Sequence, residues 1–254
     1  MTNRPKYIIV TGSSGGVGLG IVNKFLDSGF HVIGIDVVSP KKKLRQDNYF
    51  KFIQFDLSCL CDDKSFSNLL LNKVLEILKN GKLQSIINNA AVQIIKSDSK
   101  STLSNWTKSL SINLITPAIM SSMFFDHLAK SKGSIINIGS VHSKLSKPNF
   151  EMYSTSKSGL IGLTKALALK YAPDVRVNLV EPGAVETQML KAGFSNNKFK
   201  LDSLKQFHPL KKLANTKDIA ELVFFLCSVK ANSITGATIS IDNGIGLVLH
   251  DPSN

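Results

Sequence analysis

Tyr7-Ile8-Ile9-Val10-Thr11-Gly12-Ser13-Ser14-Gly15-Gly16-Val17-Gly18 runs a short apolar strand straight into a glycine turn. Ile21, Val22, Phe25 and Leu26 follow at helical spacing until Gly29 stops the helix. Strand, glycine turn and helix in that order make a phosphate-binding arrangement. Glycines let the backbone come close to an anion, and a helix start offers free N–H groups and the positive end of its dipole. A merely tight strand-to-helix turn is the plainer reading, but Gly12, Gly15, Gly16 and Gly18 are more glycine than it needs.

Outward from the turn, Val32-Ile33-Gly34-Ile35 is a second strand, with Asp36 at its carboxyl end. A carboxylate about 20 residues beyond such a turn is placed to hold a ribose 2′-hydroxyl, and it would repel a 2′-phosphate. Gly15 supplies no cation for a phosphate, so the pattern favours NAD over NADP; Lys41, Lys42 and Lys43 weigh the other way. Phe50 to Phe55 is a third strand ending in Asp56-Leu57, with a helix repeating from Phe66 to Leu78. Ser85-Ile86-Ile87 is a fourth, ending in Asn88-Asn89-Ala90-Ala91. Residues from about Leu103 to Ala129 read as one long helix containing Asn113, which Pro117 could kink. Strands at Ser134–Ile138, Val175–Val180 and Thr238–Ile241 end in Gly139-Ser140, Glu181-Pro182-Gly183 and Asp242-Asn243-Gly244. Thr216 is the expected cap of a helix through Leu226. Residues 184–214, with weak periodicity and with Gly193, Asn196 and Asn197, read as a mobile substrate loop. Strands and helices alternate throughout, which implies an α/β fold of one domain over residues 1–254, a doubly wound parallel sheet flanked by helices. Ligands bind such sheets at the carboxyl ends of the strands, where these small and polar residues fall.

Tyr153-Ser154-Thr155-Ser156-Lys157 opens another helix, whose buried face is marked by Leu160, Leu163, Leu167 and Tyr171. Four residues is about one turn, so the Tyr153 phenol and the Lys157 ammonium share a face. A cation one turn away stabilises a phenolate, which would suit the pair to proton transfer in alcohol–carbonyl chemistry. Tyr and Lys at this spacing are also common on ordinary amphipathic helices.

Composition narrows the classes. Mean hydropathy is +0.07 and no apolar run approaches the roughly 20 residues of a membrane span. The N-terminus lacks the pattern of a signal peptide, so a cytoplasmic chain is expected. Cys59, Cys61 and Cys227 have neither zinc spacing nor a histidine cluster, and read as reduced thiols with no metal site. The net charge of +13 is lysine spread along the chain, with arginine only at positions 4, 45 and 176. That reads as a solvated surface, not a nucleic-acid or membrane partner. Six lysines and one acid between Lys191 and Lys212 leave two readings open, a solvated basic loop or closure over an anionic substrate.

Together these motifs resemble the short-chain dehydrogenase/reductase family over roughly residues 5–246. The matching residues are Thr11-Gly12 with Gly16-Val17-Gly18, Asn88-Asn89-Ala90-Ala91, Asn113, Ser140 thirteen residues before Tyr153, Tyr153 with Lys157, and Pro182-Gly183 with Thr187. Ala91 and Asn243 stand where the family pattern has glycine. The resemblance implies a Rossmann-like fold and NAD(H)-dependent interconversion of an alcohol and a carbonyl, acting on a small molecule and without a metal. It implies Tyr153 as proton donor, Ser140 as partner of the carbonyl oxygen, and Lys157 lowering the Tyr153 pKa while holding the nicotinamide ribose. Asn113 would position a relay water. For the cofactor it implies Gly12, Ser14, Gly16, Val17 and Gly18 around the pyrophosphate, Asp36 on the adenosine ribose, Asp56 and Leu57 near the adenine, Asn89 and Ala90 lining the site, and Pro182, Gly183, Val185 and Thr187 at the nicotinamide. A dimer or tetramer is the family's usual assembly. An NADP(H)-dependent 3-oxoacyl thioester reductase is the second enzyme reading, opposed by Asp36 and Gly15. A dinucleotide-binding sensor or scaffold without turnover is the third, opposed by the intact Ser140, Tyr153 and Lys157.

Overall fold

Successive residues of the first strand face opposite ways, and that alternation builds the two layers of the core. The structure is a computed structural model and describes residues 4–79, 81–95, 102–193 and 197–249. In chain order the elements are β1 (Lys6–Thr11), α1 (Gly16–Asp27), β2 (His31–Asp36), α2 (Lys42–Arg45), β3 (Phe50–Gln54), α3 (Lys64–Leu78), β4 (Lys82–Asn88), α4 (Leu103–Leu110) and α5 (Thr116–Met123). They continue with α6 (Phe125–Ala129), β5 (Ser134–Ile138), α7 (Glu151–Tyr171), β6 (Arg176–Pro182), α8 (Gln188–Gly193), α9 (Lys198–Phe207), α10 (Thr216–Cys227) and β7 (Thr238–Ile241).

The strands form one parallel sheet in the order β3-β2-β1-β4-β5-β6-β7. Ile9, Ile33 and Ile35 pack with Leu70, Val74, Phe124 and Leu167 on one face. Ile8, Val10 and Val32 pack with Ile21, Phe25, Ile219 and Val223 on the other. The doubly wound sheet expected from the alternation is therefore present. The chain winds outward from β1 to β3, returns to β4, and winds the other way to β7. The crevice of such a sheet lies at that switch, beyond the ends of β1 and β4.

Three local expectations change. The long helix over Leu103–Ala129 is interrupted by a π turn at Ser111–Ile115, where the Thr116 N–H reaches back five residues to the Ser111 carbonyl. Pro117, in the first turn of α5, has no N–H to give the Asn113 carbonyl four residues before it, so the ladder widens one turn earlier than the proline. Residues 184–214 are not a featureless loop, because they carry α8 and α9. Asn197, a loop marker by composition, caps α9 by accepting from the Lys200 N–H at 3.1 Å. The segment's two ends are tied by N–H bonds from Glu186 to Ala214 (3.0 Å) and from Ala214 to Ala184 (3.1 Å); Asn196 lies outside the described residues. Finally, Asn215, not Thr216, caps α10, through a capping box with Asp218.

The glycine turn depends on one close approach. A Cβ on Gly18 would lie 1.9 Å from the Gly12 carbonyl oxygen, and Gly12 itself has φ +65° with Ala90 and Asn89 packed over it. Gly18→Ala is expected to cost about 1–3 kcal/mol by overpacking. Urea unfolding should show the loss as a lowered midpoint; an unchanged midpoint would mean that the turn can move aside.

Candidate active site

Asn89 fastens the two halves of the sheet at the switch point. Its Nδ2 donates to the carbonyls of Thr11 and Gly12, both at 3.0 Å. The backbone N–H groups of Asn89 and Ala90 donate to Thr11 Oγ1, also at 3.0 Å. The turn is thereby held open above α1, whose N-cap Gly15 makes no side-chain cap bond. The first-turn N–H groups of α1 are left for an anion. Asp36 lies beside the turn, its carboxylate accepting from the N–H groups of Ser14 (2.9 Å) and Val38 (3.0 Å).

The cleft over these strand ends has a volume of about 730 Å³. Gly12, Gly16, Val17, Asp36, Asp56, Leu57, Asn89 and Ala90 line one side of it, and Pro182, Gly183, Val185 and Thr187 the other. Ser140, Tyr153 and Lys157 line it between them. Ser14, Gly18 and Asn113 are not in its wall. Ser14 bonds Asp36 and the Val38 carbonyl, and Gly18 packs against the Gly12 carbonyl. Asn113 exchanges two bonds with the Val92 backbone (2.8 and 2.9 Å) and donates to Ser156 Oγ at 3.0 Å. Its buried side chain is consumed in pinning the strand-end loop to α7.

Helix α7 is anchored to the sheet by buried polar groups. Asn88 Nδ2 donates to Asn137 Oδ1 (2.8 Å), and Asn137 Nδ2 donates to Thr164 Oγ1 (2.9 Å). One turn of helix then separates Tyr153 from Lys157. The Lys157 Nζ donates to the Ile138 carbonyl (2.8 Å) and lies 5.6 Å from the Tyr153 ring centroid. Ser140 Oγ accepts from the His142 N–H at 3.2 Å, and the Ser140 side chain hydrogen-bonds Tyr153. The expected lowering of the Tyr153 pKa is not what this arrangement produces. Burial raises it, and the hydrogen bond with Ser140 offsets part of that rise. Burial also lowers Lys157 from 10.5 to about 8.

Glu181 was legible only as a strand-closing residue. It is buried at the end of β6, where Ser143 Oγ, Lys144 Nζ (2.7 Å) and Ser240 Oγ (2.9 Å) all donate to it. Those bonds fix the short 3₁₀ turn Val141–Ser143 that follows Ser140. A carboxylate on a strand otherwise buried along its length was the available signal, since a buried charge needs partners. His142 and His208 also line the cleft, and the sequence reading passed over both. The lysines between Lys191 and Lys212 do not line it. Lys205 is instead engaged by Asp202 at 3.1 Å. All three cysteines are free, and the described residues contain no group of side chains able to hold a metal ion.

Comparison with known proteins agrees with this geometry. A family model described as enoyl-(acyl carrier protein) reductase matches residues 12–246. Human dehydrogenase/reductase SDR family member 4 is 30% identical over 246 residues, covering 94% of this chain and 87% of that one. A 3-oxoacyl-[acyl-carrier-protein] reductase of Buchnera aphidicola is 33% identical over 247 residues, covering 94% and 97%. The structure of a 4-hydroxyisoleucine dehydrogenase complexed with NADH superposes with a TM-score of 0.86 at 29% identity, covering 96% and 100%.

The Lys157 shift has a definite sign. Below pH 8 the ammonium is charged in folded and unfolded chains alike, and the folded state bears the full cost of burying it. Between pH 8 and 10.5 the folded chain releases the proton first and the cost falls away. Lys157→Met has no such cost at any pH. Its stability relative to the native chain should therefore be highest below pH 8 and decline by up to about 3 kcal/mol towards pH 10. Paired urea titrations across that range measure the difference; a flat difference would show that Lys157 is not buried as a cation.

Proposed function

The chain belongs to the short-chain dehydrogenase/reductase family and is an oxidoreductase of it, and from that premise we propose that it interconverts an alcohol and a carbonyl with NAD(H). The observation that carries this reading is the convergence of Ser140, Tyr153 and Lys157 in one cleft with the glycine turn. Residues of the cleft fit the cofactor. Gly12 and Gly18 lack the Cβ atoms that would block close backbone approach, and the α1 N-terminus is open to a diphosphate. When bound, the nicotinamide supplies or accepts the hydride.

The protein's own residues do the proton work. Tyr153 gives its proton to the carbonyl oxygen during reduction, or takes one from the alcohol during oxidation. The Ser140 hydroxyl, which bonds Tyr153 in the cleft, would turn its donation to the same oxygen and steady developing negative charge. Lys157 has one N–H bonded to Ile138 and others that would hold the ribose hydroxyls of a bound cofactor. A positively charged ring brought close to Tyr153 would counter the upward shift from burial. Pro117 has no N–H to give the Asn113 carbonyl, which would leave that carbonyl to a relay water.

Asp36, Val37 and Asp56 line the adenosine end of the cleft, while Lys41, Lys42 and Lys43 are absent from its lining. Carboxylates without a facing cation favour a free ribose hydroxyl over a phosphate, hence NAD. The NADH complex of the 4-hydroxyisoleucine dehydrogenase supports that choice by similarity. The Buchnera relative favours the other reading, an NADP-dependent reductase of 3-oxoacyl thioesters.

Two measurements test the proposal. Tyr153→Phe should lower kcat by about 100-fold or more while NADH still binds; retained turnover would exclude Tyr153 as the proton donor. Fluorescence titration should show NADH bound more tightly than NADPH, and the reverse order would favour the thioester reductase.

A further inference from the structure

Lys147 lines the cleft but has no part in the proton chemistry or the cofactor cradle. It stands in the loop between the 3₁₀ turn after Ser140 and the start of α7, and that loop is held at several points. Ser143 Oγ and Lys144 Nζ both donate to Glu181, the lysine at 2.7 Å. Ser146 Oγ shares a hydrogen bond with Ser154 Oγ on α7 (2.7 Å), and Ser158 Oγ donates to the Ser143 carbonyl (2.7 Å). Pro148 disfavours a helical backbone at Lys147. Asn149, with φ +68°, then turns the chain into the buried Phe150.

The side chain of Lys147 reaches the reacting end of the cleft. Its Nζ lies 4.4 Å from the Phe150 ring centroid. That ring is 4.5 Å from the His142 ring and 6.2 Å from the Tyr153 ring. After burial, the Lys147 charge is the next cause that lowers the His142 pKa. What singles Lys147 out is a missing counter-charge. Lys144, three residues earlier, has Glu181, whereas none of the ion pairs among the described residues includes Lys147. The carboxylates that line the cleft are Asp36 and Asp56, at the adenosine end. A ring face attracts an ammonium but accepts little from its three N–H donors.

We propose that Lys147 sets the substrate class: its ammonium pairs with a carboxylate of the substrate, which is an oxo acid or the corresponding hydroxy acid. This rests on the reading of the cleft as an alcohol–carbonyl site, with the oxo or hydroxyl group presented to Tyr153. An uncompensated cation in the wall of a cleft attracts opposite charge and rejects like charge. A substrate ammonium would meet Lys147 with no acid beside it. A neutral ketone would gain nothing from Lys147 and would displace water that now solvates it. One cation matches the single charge of a carboxylate, and its remaining N–H donors suit the carboxylate oxygens.

The test compares acids with neutral amides of nearly the same shape. In the complex with NADH, or with NADPH if that binds more tightly, cofactor fluorescence is titrated with 3-oxobutanoate and 4-oxopentanoate and with their amides. At least one acid should bind about three- to tenfold more tightly than its amide, and added salt should narrow the difference. Lys147→Gln should abolish the preference by weakening the acid while leaving the amide unchanged, so a damaged fold is told apart from a lost charge. Lys147→Arg should keep the preference. So should Lys200→Gln, which removes the same charge from α9 away from the cleft wall, and this separates a local pair from the chain's overall positive field. Acids that bind no more tightly than their amides, or a preference that survives Lys147→Gln, overturn the proposal. Failure of both reduced cofactors to bind is seen before any acid is added, and it removes the oxidoreductase reading and this inference with it.

Discussion

The hydrogen bonds from Asn89 to the Thr11 and Gly12 carbonyls are the constraint on which the rest of the cleft depends. A parallel sheet that reverses its winding must leave a gap where two neighbouring strands send their connections opposite ways. Here the gap is between β1 and β4. The backbone ladder reaches one residue past the end of β1, through the Gly12 N–H to the Ile35 carbonyl (2.8 Å), and does not join that turn to the end of β4. The Asn89 amide does so, joined by Thr11 Oγ1, which accepts from two backbone N–H groups of the β4 end. Each such bond contributes only about 1 kcal/mol net. Their effect is positional, because they hold a glycine turn whose packing tolerates no Cβ at Gly18.

A second set of polar groups carries that rigidity to the reacting side chains. Asn88, Asn137 and Thr164 run through the buried sheet to α7. Asn113 locks the loop after β4 to Ser156 on the same helix, and Glu181 locks the turn after Ser140 to β6 and β7. Tyr153 and Ser140 thus come from different elements yet are held relative to one frame. The cost is electrostatic. Burial raises the phenol and lowers Lys157, so the apo cleft opposes the charges that the chemistry would use. A site arranged this way favours a ligand that brings compensating charge and hydrogen bonds with it.

The far end of the cleft follows a different rule. It is roofed by the segment carrying α8 and α9, whose ends are clamped by the bonds between residues 184–186 and Ala214. None of that segment's lysines lines the cleft; Val185, Thr187, Leu190, Leu204 and His208 are among its residues that do. His208 is seated by its own helix, with Nδ1 2.8 Å from the Leu204 carbonyl.

The order of strands and helices, the parallel sheet, the glycine turn and Tyr153 with Lys157 were all legible in the residues, because each is written in local spacing: apolar periodicity, glycine clustering, and four residues per helical turn. The same locality explains what was missed. Asn215 in place of Thr216 and the π turn ahead of Pro117 differ from expectation by a residue or a turn, within which several caps or breaks are chemically equivalent, whereas α8 and α9 fall in residues whose weak periodicity gave only a loop. The burial of Lys157, the three partners of Glu181, the inward face of Asn113 and the orphan nitrogens of His142 and His208 were not legible at all. Each depends on groups tens of residues away or on exclusion from water. The sequence by itself determined which chemical groups are present and on which elements they ride. Only the tertiary structure decided which of them face the cleft, because desolvation and hydrogen-bond partnership are properties of packed neighbours and not of chain order.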